Sequence, residues 1–213
     1  MAEQALQARA MMVQRQIRAR GIDDPALLEA FMRVPREQFV PPGTPLAAAY
    51  GDHPLPIGAG QTISQPFIVA LMIDLLHVSA GDRVLEVGAG SGYQAALLSA
   101  MDVRVVALEL VGALALRARR ALVENGLQEN VSLLVADGYQ GWKPGAPYDG
   151  IVVSAAPSKV PRGMPEQLAE GGRLVIPVGR VWQELLVIRR SRGGYERRPV
   201  EAVRFVPLLR RDT

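Results

Sequence analysis

The alternation of strand-like and helix-like segments after about residue 81 constrains the fold more than any other feature of the chain. Short runs of aliphatic and β-branched residues are separated by longer segments with helical spacing of apolar residues. Parallel strands need such crossover connections, so the alternation predicts an α/β fold with a mostly parallel sheet and helices on both faces. The predicted strands are 83–87, 103–108, 131–135, 151–154 and 173–178, and the predicted helices are 91–101, 112–125 and 164–169.

The end of the chain differs from this alternation. Residues 184–190 and 200–206 are strand-like runs with a Gly-Gly turn between them. A turn of this kind joins neighbouring antiparallel strands. We therefore expect the sheet to end in an antiparallel hairpin.

The residues before the alternation predict an N-terminal helical extension. Residues 3–20 carry apolar side chains at roughly helical spacing. Asp24 followed by Pro25 is typical of an N-cap and a first helical residue, which predicts a second helix to about Arg33.

A proline- and glycine-rich stretch, residues 40–60, connects this extension to the rest of the chain. Such composition predicts an ordered surface loop without regular structure. Ser64-Gln65-Pro66 then predicts another helix, running to about Leu76, with Ser64 as its N-cap.

Composition excludes several kinds of site. The chain of 213 residues has no cysteine, which rules out disulfides, thiolate nucleophiles and zinc sites built on cysteine. No apolar run reaches the roughly 18–20 residues that span a bilayer. Glutamine and arginine interrupt the N-terminus, which is not typical of a secretion signal. These features predict a cytoplasmic protein without membrane association.

The charge pattern argues against a nucleic-acid partner. The net charge is +3 and the arginines are dispersed. Aromatic residues are 5% of the chain, whereas nucleic-acid surfaces usually combine basic patches with aromatic side chains. We expect a solvated hairpin surface at the densest basic cluster, which comprises Arg189, Arg190, Arg192, Arg197 and Arg198.

A glycine-rich turn follows the first strand of the alternation, and it reads Gly88-Ala89-Gly90-Ser91-Gly92-Tyr93. Strand, glycines and helix in this order are typical of a nucleotide-type site, because glycine lets a ligand approach the backbone. The dinucleotide fingerprint requires a sixth-position glycine, and Tyr93 occupies that position. The turn therefore fits a pyrophosphate poorly, and a tight strand–helix corner is the alternative.

Acidic residues follow the next two strands at the same edge of the predicted sheet. A carboxylate at Glu109 could accept hydrogen bonds from both ribose hydroxyls. Asp137-Gly138 could accept from an adenine amino group, or could simply form a turn. Together with the glycine turn, these acids predict a ligand that carries adenosine. No P-loop motif is present, so ATP hydrolysis of that type is not expected.

Several sequence blocks resemble known methyltransferases. The segment 84–93, VLEVGAGSGY, is similar to the first motif of class I S-adenosylmethionine-dependent methyltransferases. The segment 54–66, PLPIGAGQTISQP, resembles the more specific signature of the protein-L-isoaspartate O-methyltransferase family. Blocks at 137–149, 171–179 and 203–208 extend the resemblance to most of the chain.

This resemblance implies a Rossmann-like class I methyltransferase fold. Residues 1–213 would form a single domain, in which the N-terminal helices and substrate loop of 1–78 pack on a cofactor-binding core, 79–213. It implies S-adenosyl-L-methionine as cofactor, S-adenosyl-L-homocysteine as product, and isoaspartyl proteins and peptides as substrates of a monomeric enzyme. The implied cofactor-binding residues are Gln61, Thr62, Ile63, Gly88, Gly90, Ser91, Gly92, Glu109, Leu110, Asp137 and Gly138.

The resemblance also implies that Ser64 is the catalytic residue. In the implied reaction, the free α-carboxylate of an isoaspartyl residue attacks the methyl group of the cofactor, and the methyl ester then closes to a succinimide. A carboxylate with a pKa of roughly 3–4 is already ionised at pH 7, so no general base is required. The Ser64 hydroxyl could orient that carboxylate, and Asp52 could orient the loop.

Two other functions remain open from the sequence. One is a class I methyltransferase that acts on RNA or a small molecule, and the other is a nucleotide-binding module or NAD oxidoreductase. Binding of S-adenosylhomocysteine but not NAD would exclude the second. His53 and His77 are expected at the surface and at a helix end, and no metal site is predicted.

Overall fold

A computed structural model of the chain describes residues 2–211. Its α-helices are α1 (Ala2–Met12), α2 (Pro25–Arg33), α3 (Leu46–Ala49), α4 (Pro66–Leu76), α5 (Tyr93–Ala100) and α6 (Gly112–Glu124). Its strands are β1 (Leu55–Gly58), β2 (Gln61–Ile63), β3 (Arg83–Val87), β4 (Arg104–Glu109), β5 (Val131–Val135), β6 (Tyr148–Val153), β7 (Leu168–Gly179), β8 (Gln183–Ser191) and β9 (Gly194–Val203).

Within residues 2–211, the main sheet has seven strands in the order β5-β4-β3-β6-β7-β8-β9. Strands β3 to β7 are parallel, and β8 and β9 add an antiparallel hairpin. The predicted fold class, a mostly parallel sheet with an antiparallel C-terminal hairpin, is confirmed. The chain runs from β3 to β5 in one direction and then crosses to β6 on the other side of β3. This reversal is a topological switch point, where open α/β sheets usually bind their ligands.

The two faces of the sheet are covered differently. Buried side chains of α2, α4, α5 and α6 share one core with the first face. The second face packs against loop segments around Trp142, Val160 and Met164. In the described residues, the helical cover of this second face consists of 3₁₀ turns at Lys143–Gly145 and Pro165–Gln167.

The N-terminal extension forms largely as predicted. Helix α1 continues through a π-helical turn, Val13–Ile17, and a 3₁₀ turn, Arg18–Arg20. The Asp24 carboxylate caps α2 by accepting from the Leu27 amide at 2.8 Å. The Phe31 ring of this extension meets the Tyr93 ring edge-on, with 6.1 Å between centroids.

Two sequence predictions about local structure are wrong. Residues 40–60 contain regular structure, because α3 and β1 lie within them and β1 pairs with β2 in a two-stranded hairpin. The predicted helix 164–169 is a single 3₁₀ turn, after which β7 begins at Leu168. The buried Gln167 side chain holds this segment by bonding the backbone of Gln140, Trp142 and Gly163.

The prediction that Ser64 caps α4 is also wrong. The N-cap residue is Gln65, and its side chain makes no capping hydrogen bond. The carboxylate of Asp52 accepts from the Phe67 amide at 3.2 Å and so caps the helix from across the loop. A second Asp52 oxygen accepts from Arg20 at 3.0 Å. The Ser64 hydroxyl is thereby free of the structural role that the spacing suggested.

Arg36 lies fully buried beneath this loop. Its Nε donates to the Ala49 carbonyl at 2.8 Å, and one terminal nitrogen donates to the Ser64 carbonyl at 2.7 Å. The guanidinium carbon lies 5.0 Å from the centre of the Tyr93 ring. A single side chain therefore ties both ends of the loop 49–64 to the first residue of α5.

We predict that Arg36→Ala lowers the free energy of unfolding by about 3 kcal/mol or more, because two buried carbonyls lose a charged donor and a cavity remains. Urea denaturation measures this change. Arg33→Ala removes an exposed arginine of α2 and should change stability by less than about 0.5 kcal/mol. Equal denaturation midpoints for the two variants would contradict the role assigned to Arg36.

Candidate functional site

A cleft opens at the switch point, above the carboxyl ends of β3 and β4. It encloses about 790 Å³, including its open mouth. Strand β2 with Ser64 forms one part of its wall, and the C-terminal segment Val206–Leu209 forms another. The floor consists of the glycine turn and the ends of the strands.

Most of the residues predicted for the site meet in this cleft. Ten of the twelve predicted residues line the cleft. They are Gln61, Thr62, Ile63, Ser64, Gly88, Gly90, Ser91, Glu109, Leu110 and Gly138. Residues far apart in sequence therefore share one cavity. The exceptions are Gly92 and Asp137, which lie close by but outside the cleft lining.

The glycine turn owes its shape to backbone conformation and to close contacts. Gly90 has φ of 54°, and a Cβ there would lie 3.2 Å from Ile57 of the hairpin. Gly92 has φ of 82°, and a Cβ there would lie 3.0 Å from Ala118 of α6. Gly90 thus lets the hairpin approach the turn, whereas Gly92 serves the packing of α5 against α6.

Glu109 joins the glycine turn to the start of α6. One carboxylate oxygen accepts from the Gly90 amide at 2.7 Å, and the other accepts from the Val111 amide at 2.8 Å. The residue is 6% exposed, so these bonds are shielded from water. Each carboxylate oxygen can accept a second hydrogen bond, which leaves capacity for a ligand in the cleft.

Asp137 and Gly138 have different positions. The Asp137 carboxylate accepts from the Tyr139 amide at 2.8 Å, as in a local turn, and from the Arg211 amide at 2.9 Å. It therefore fixes the turn after β5 and fastens the C-terminal segment beside the cleft. Gly138 lies in the cleft wall so close to β3 that a Cβ would lie 2.6 Å from Val87.

The hairpin is held over the glycine turn from two directions. Arg117 of α6 donates to the Ile57 carbonyl at 2.8 Å, and Arg36 holds the Ser64 carbonyl from below. Ser64 is half-buried and lines the cleft. In the described part of the chain its hydroxyl makes no hydrogen bond, so it is available to a ligand.

The structure reveals cleft residues to which the sequence assigned no role. Glu86 and Gln94 line the cleft and are almost fully buried. One oxygen of Glu86 and the amide nitrogen of Gln94 lack hydrogen-bond partners among the described residues. Glu86 stands just before the glycine motif, so its position could have indicated a role, but burial of Gln94 could not be read from the sequence.

Burial raises the pKa of Glu86 well above its ordinary value, and the nearby Glu109 carboxylate raises it further. A carboxyl in such a place favours its neutral form because ionisation has little solvation. The protonated group can donate a hydrogen bond into the cleft. Glu86 and Glu109 thus give the floor of the cleft one potential donor and one acceptor.

The histidines lie away from the cleft lining. His53 and His77 are exposed, and His77 ends α4 with φ of 53°. Within residues 2–211, no three histidine, aspartate or glutamate side chains lie close enough together to hold a metal ion. No helix in that range is long and apolar enough to cross a membrane.

Comparison with known proteins agrees with this geometry. The family model for protein-L-isoaspartate(D-aspartate) O-methyltransferase matches residues 7–213. A protein-L-isoaspartate O-methyltransferase from Methylorubrum populi is 55% identical over 205 residues, which are 95% of each chain. A solved protein-L-isoaspartate O-methyltransferase superposes with a TM-score of 0.85 at 30% identity, over 93% of this chain and 65% of the longer solved chain.

A second solved structure is a putative protein-L-isoaspartate O-methyltransferase from Plasmodium falciparum in complex with S-adenosyl-L-homocysteine. It superposes with a TM-score of 0.79 at 26% identity, over 93% of this chain and 96% of that chain. The sheet order, the glycine turn and the cleft at the switch point define a class I methyltransferase. Within that class, the chain belongs to the protein-L-isoaspartate(D-aspartate) O-methyltransferase family.

We predict that Glu86→Gln makes the protein more stable than the wild type at pH 8. Because its pKa is raised, the folded Glu86 keeps its proton at pH values where the unfolded chain has lost it. The free energy of unfolding is therefore highest below the pKa of Glu86 in the unfolded chain. It falls as the pH rises toward the pKa of Glu86 in the folded protein. The slope is about 1.4 kcal/mol per pH unit in that window.

Urea unfolding between pH 4 and pH 8 tests this prediction. Glu86→Gln should reduce the slope, whereas Glu124→Gln, at an exposed position of α6, should keep it. If Glu86→Gln and the wild type lose stability in parallel as pH rises, the Glu86 carboxyl does not carry the raised pKa.

Proposed function

We propose that the chain transfers a methyl group from S-adenosyl-L-methionine to the free α-carboxylate of L-isoaspartyl residues in proteins and peptides. The ester would then close to a succinimide, whose hydrolysis regenerates some normal aspartate. The observation that carries this proposal is the position of Ser64 in the same cleft as the glycine turn and Glu109. The proposed cofactor site and the hydroxyl proposed to orient the substrate would thereby face one cavity.

The proposed cofactor position follows the lining of the cleft. The ribose would lie beside Glu109, whose spare acceptor capacity suits the two hydroxyls. Gly88 to Ser91 would contact the amino-acid part of the cofactor, and Leu110 and Gly138 would flank the adenine. We propose that Asp137 acts indirectly by fixing the turn at Gly138, and that Gly92 acts by helix packing.

The hairpin residues before Ser64 complete the proposed cofactor site. Gln61 and Thr62 line the cleft mouth, and Ile63 is 4% exposed and anchors the strand in the core. We propose that Gln61 and Thr62 meet the cofactor beside the transferring methyl group. Since Arg117 and Arg36 fix this hairpin, the contacts would be in place before substrate binds.

The proposed chemistry requires alignment and not proton abstraction. An isoaspartyl carboxylate is already the nucleophile at neutral pH. Holding it in line with the methyl group can lower the barrier by roughly 7–11 kcal/mol through proximity and orientation. The Ser64 hydroxyl would donate a hydrogen bond to one carboxylate oxygen and leave the other to attack.

The alternative of an RNA substrate has less support from the geometry. The basic cluster of the sequence lies on the β8-β9 hairpin, whose turn follows Ser191. Because β8 runs antiparallel to β7, this turn lies at the sheet edge opposite the cleft. The guanidinium of Arg190 there binds the Leu168 carbonyl at the start of β7.

We also propose a cytoplasmic location and a monomeric state, which stay predictions from the sequence.

The main experiment compares an isoaspartyl peptide with its normal aspartyl twin. We expect base-labile methyl esters on the isoaspartyl peptide and almost none on the twin, because the normal carboxylate lies one methylene further from the backbone. A misplacement of about 1 Å can cost on the order of 100-fold in rate. Equal labelling of both twins, or labelling of RNA instead, would overturn the proposal.

We predict that Ser64→Ala lowers turnover of the isoaspartyl peptide roughly 10- to 100-fold, the effect of losing one charge-assisted hydrogen bond. Affinity for S-adenosylhomocysteine, measured by calorimetry, should change little. The melting temperature should also change little, because Ser64 is not the cap of α4. Ser132→Ala, on the exposed side of β5, is the matched control. Full turnover by Ser64→Ala at saturating substrate would remove Ser64 from the mechanism.

A further inference from the structure

The turn between β7 and β8 exposes two large apolar side chains. Val181 is 89% exposed and Trp182 is 90% exposed, which makes them the most exposed large apolar residues in the described chain. An isolated exposed apolar residue needs no explanation, but an adjacent valine and tryptophan place substantial apolar area in water. Tryptophan is also enriched at the centres of protein-binding surfaces.

This turn lies at the same edge of the sheet as the cleft. Strand β7 is parallel to β3 through β6, so its carboxyl end at Gly179 lies where the other parallel strands end. Beside the turn is a second cavity of about 810 Å³, again including open space. Pro207 and Leu208 line both this cavity and the cleft. The two spaces are therefore neighbours on either side of one chain segment.

That dividing segment is firmly held. Ala156 donates to the Val206 carbonyl at 2.8 Å and accepts from the Leu208 amide at 2.9 Å. Gln183 bonds both backbone groups of Phe205, at 2.6 Å and 3.0 Å. A ligand that crosses from the cleft to the second cavity meets a fixed ridge one chain wide.

The second cavity is basic. Arg180 and Arg210 line it, and no aspartate or glutamate does so among the described residues. The Arg210 guanidinium carbon lies 5.5 Å from the centre of the Tyr139 ring, which also lines the cavity. A carboxylate that entered this cavity would meet two guanidinium groups and no acidic side chain from its lining.

We infer that the second cavity and the β7-β8 turn form a subsite for the substrate polypeptide next to the isoaspartyl residue. The cavity takes an acidic side chain, and Trp182 packs against an apolar one beyond it. This inference rests on the proposed function. The substrate must cross the dividing segment, which is one chain and so about 5 Å wide. An extended residue spans about 3.3 Å, so the acidic residue lies two or three positions from the isoaspartyl residue.

The experiment uses a set of isoaspartyl peptides that carry Glu, Gln or Lys two or three positions from the isoaspartyl residue, on either side. For the wild type we expect kcat/KM to fall in the order Glu, Gln, Lys on one side, with about a threefold to tenfold ratio between Glu and Gln. The ratio should appear mainly in KM, because the reacting groups are unchanged. Arg180→Gln should lower the ratio toward one, because one of the two guanidinium groups that line the cavity is removed.

Trp182→Ala is tested with peptides that carry Leu or Ser beyond the acidic position. The wild type should prefer Leu by a few fold in KM, and the variant should lose this preference. The matched controls are Arg192→Gln on the distant hairpin and Val123→Ala on α6, both exposed, and both should keep the wild-type preferences.

The outcomes separate this inference from the function on which it rests. If the wild type methylates no isoaspartyl peptide, the proposed function fails and the subsite fails with it. If isoaspartyl peptides are methylated without a Glu over Gln preference on either side, only the subsite is overturned. The same holds if Arg192→Gln removes the preference as fully as Arg180→Gln does.

Discussion

The site depends on one buried cation. Arg36 has no carboxylate within 4 Å among the described residues, and burial lowers its pKa from the ordinary value. Two of its nitrogens donate to the Ala49 and Ser64 carbonyls, and the face of Tyr93 lies beside the cation. The third nitrogen has no hydrogen-bond partner among the described residues. An arginine suits this position because its planar fork can donate in several fixed directions at once. The loop that carries Ser64 and the helix that follows the glycine turn are thereby fixed to the same group.

The N-terminal helix supports the same loop from outside. Arg9 binds the Tyr50 hydroxyl at 3.0 Å, Gln16 binds the Tyr50 carbonyl at 2.7 Å, and Arg20 binds Asp52. The Tyr50 hydroxyl also donates to Glu37. Burial and this carboxylate raise the pKa of Tyr50, so the phenol remains a donor at neutral pH. The extension therefore gives a proline- and glycine-rich loop the rigidity that the proposed alignment of the substrate with the methyl group requires.

Particular residues show where reasoning from sequence succeeded and where it failed. Asp24 and Pro25 begin a helix because their effect is local, through one bond to the Leu27 amide. Ser64 had an equally good local signal and does not cap α4, because Asp52 reaches the Phe67 amide across the loop. The segment 164–169 likewise does not form the predicted helix, because the buried Gln167 side chain within it binds three backbone groups. Tertiary contacts of this kind leave no periodic pattern in the sequence.

The sequence by itself determined the mostly parallel sheet, its terminal hairpin, the glycine turn and the acid at the end of β4. Each of these depends on periodicity or on backbone conformation within a few residues, and the family resemblance added the residues near Ser64. Only the tertiary structure decided that Asp137 and Gly92 lie outside the cleft lining, that Glu86 is buried beside Glu109, and that Arg36 bonds the Ser64 carbonyl. The physical reason is that burial and hydrogen-bond partners are properties of the packed chain, set by residues distant in sequence, whereas turns and alternation are set by neighbours.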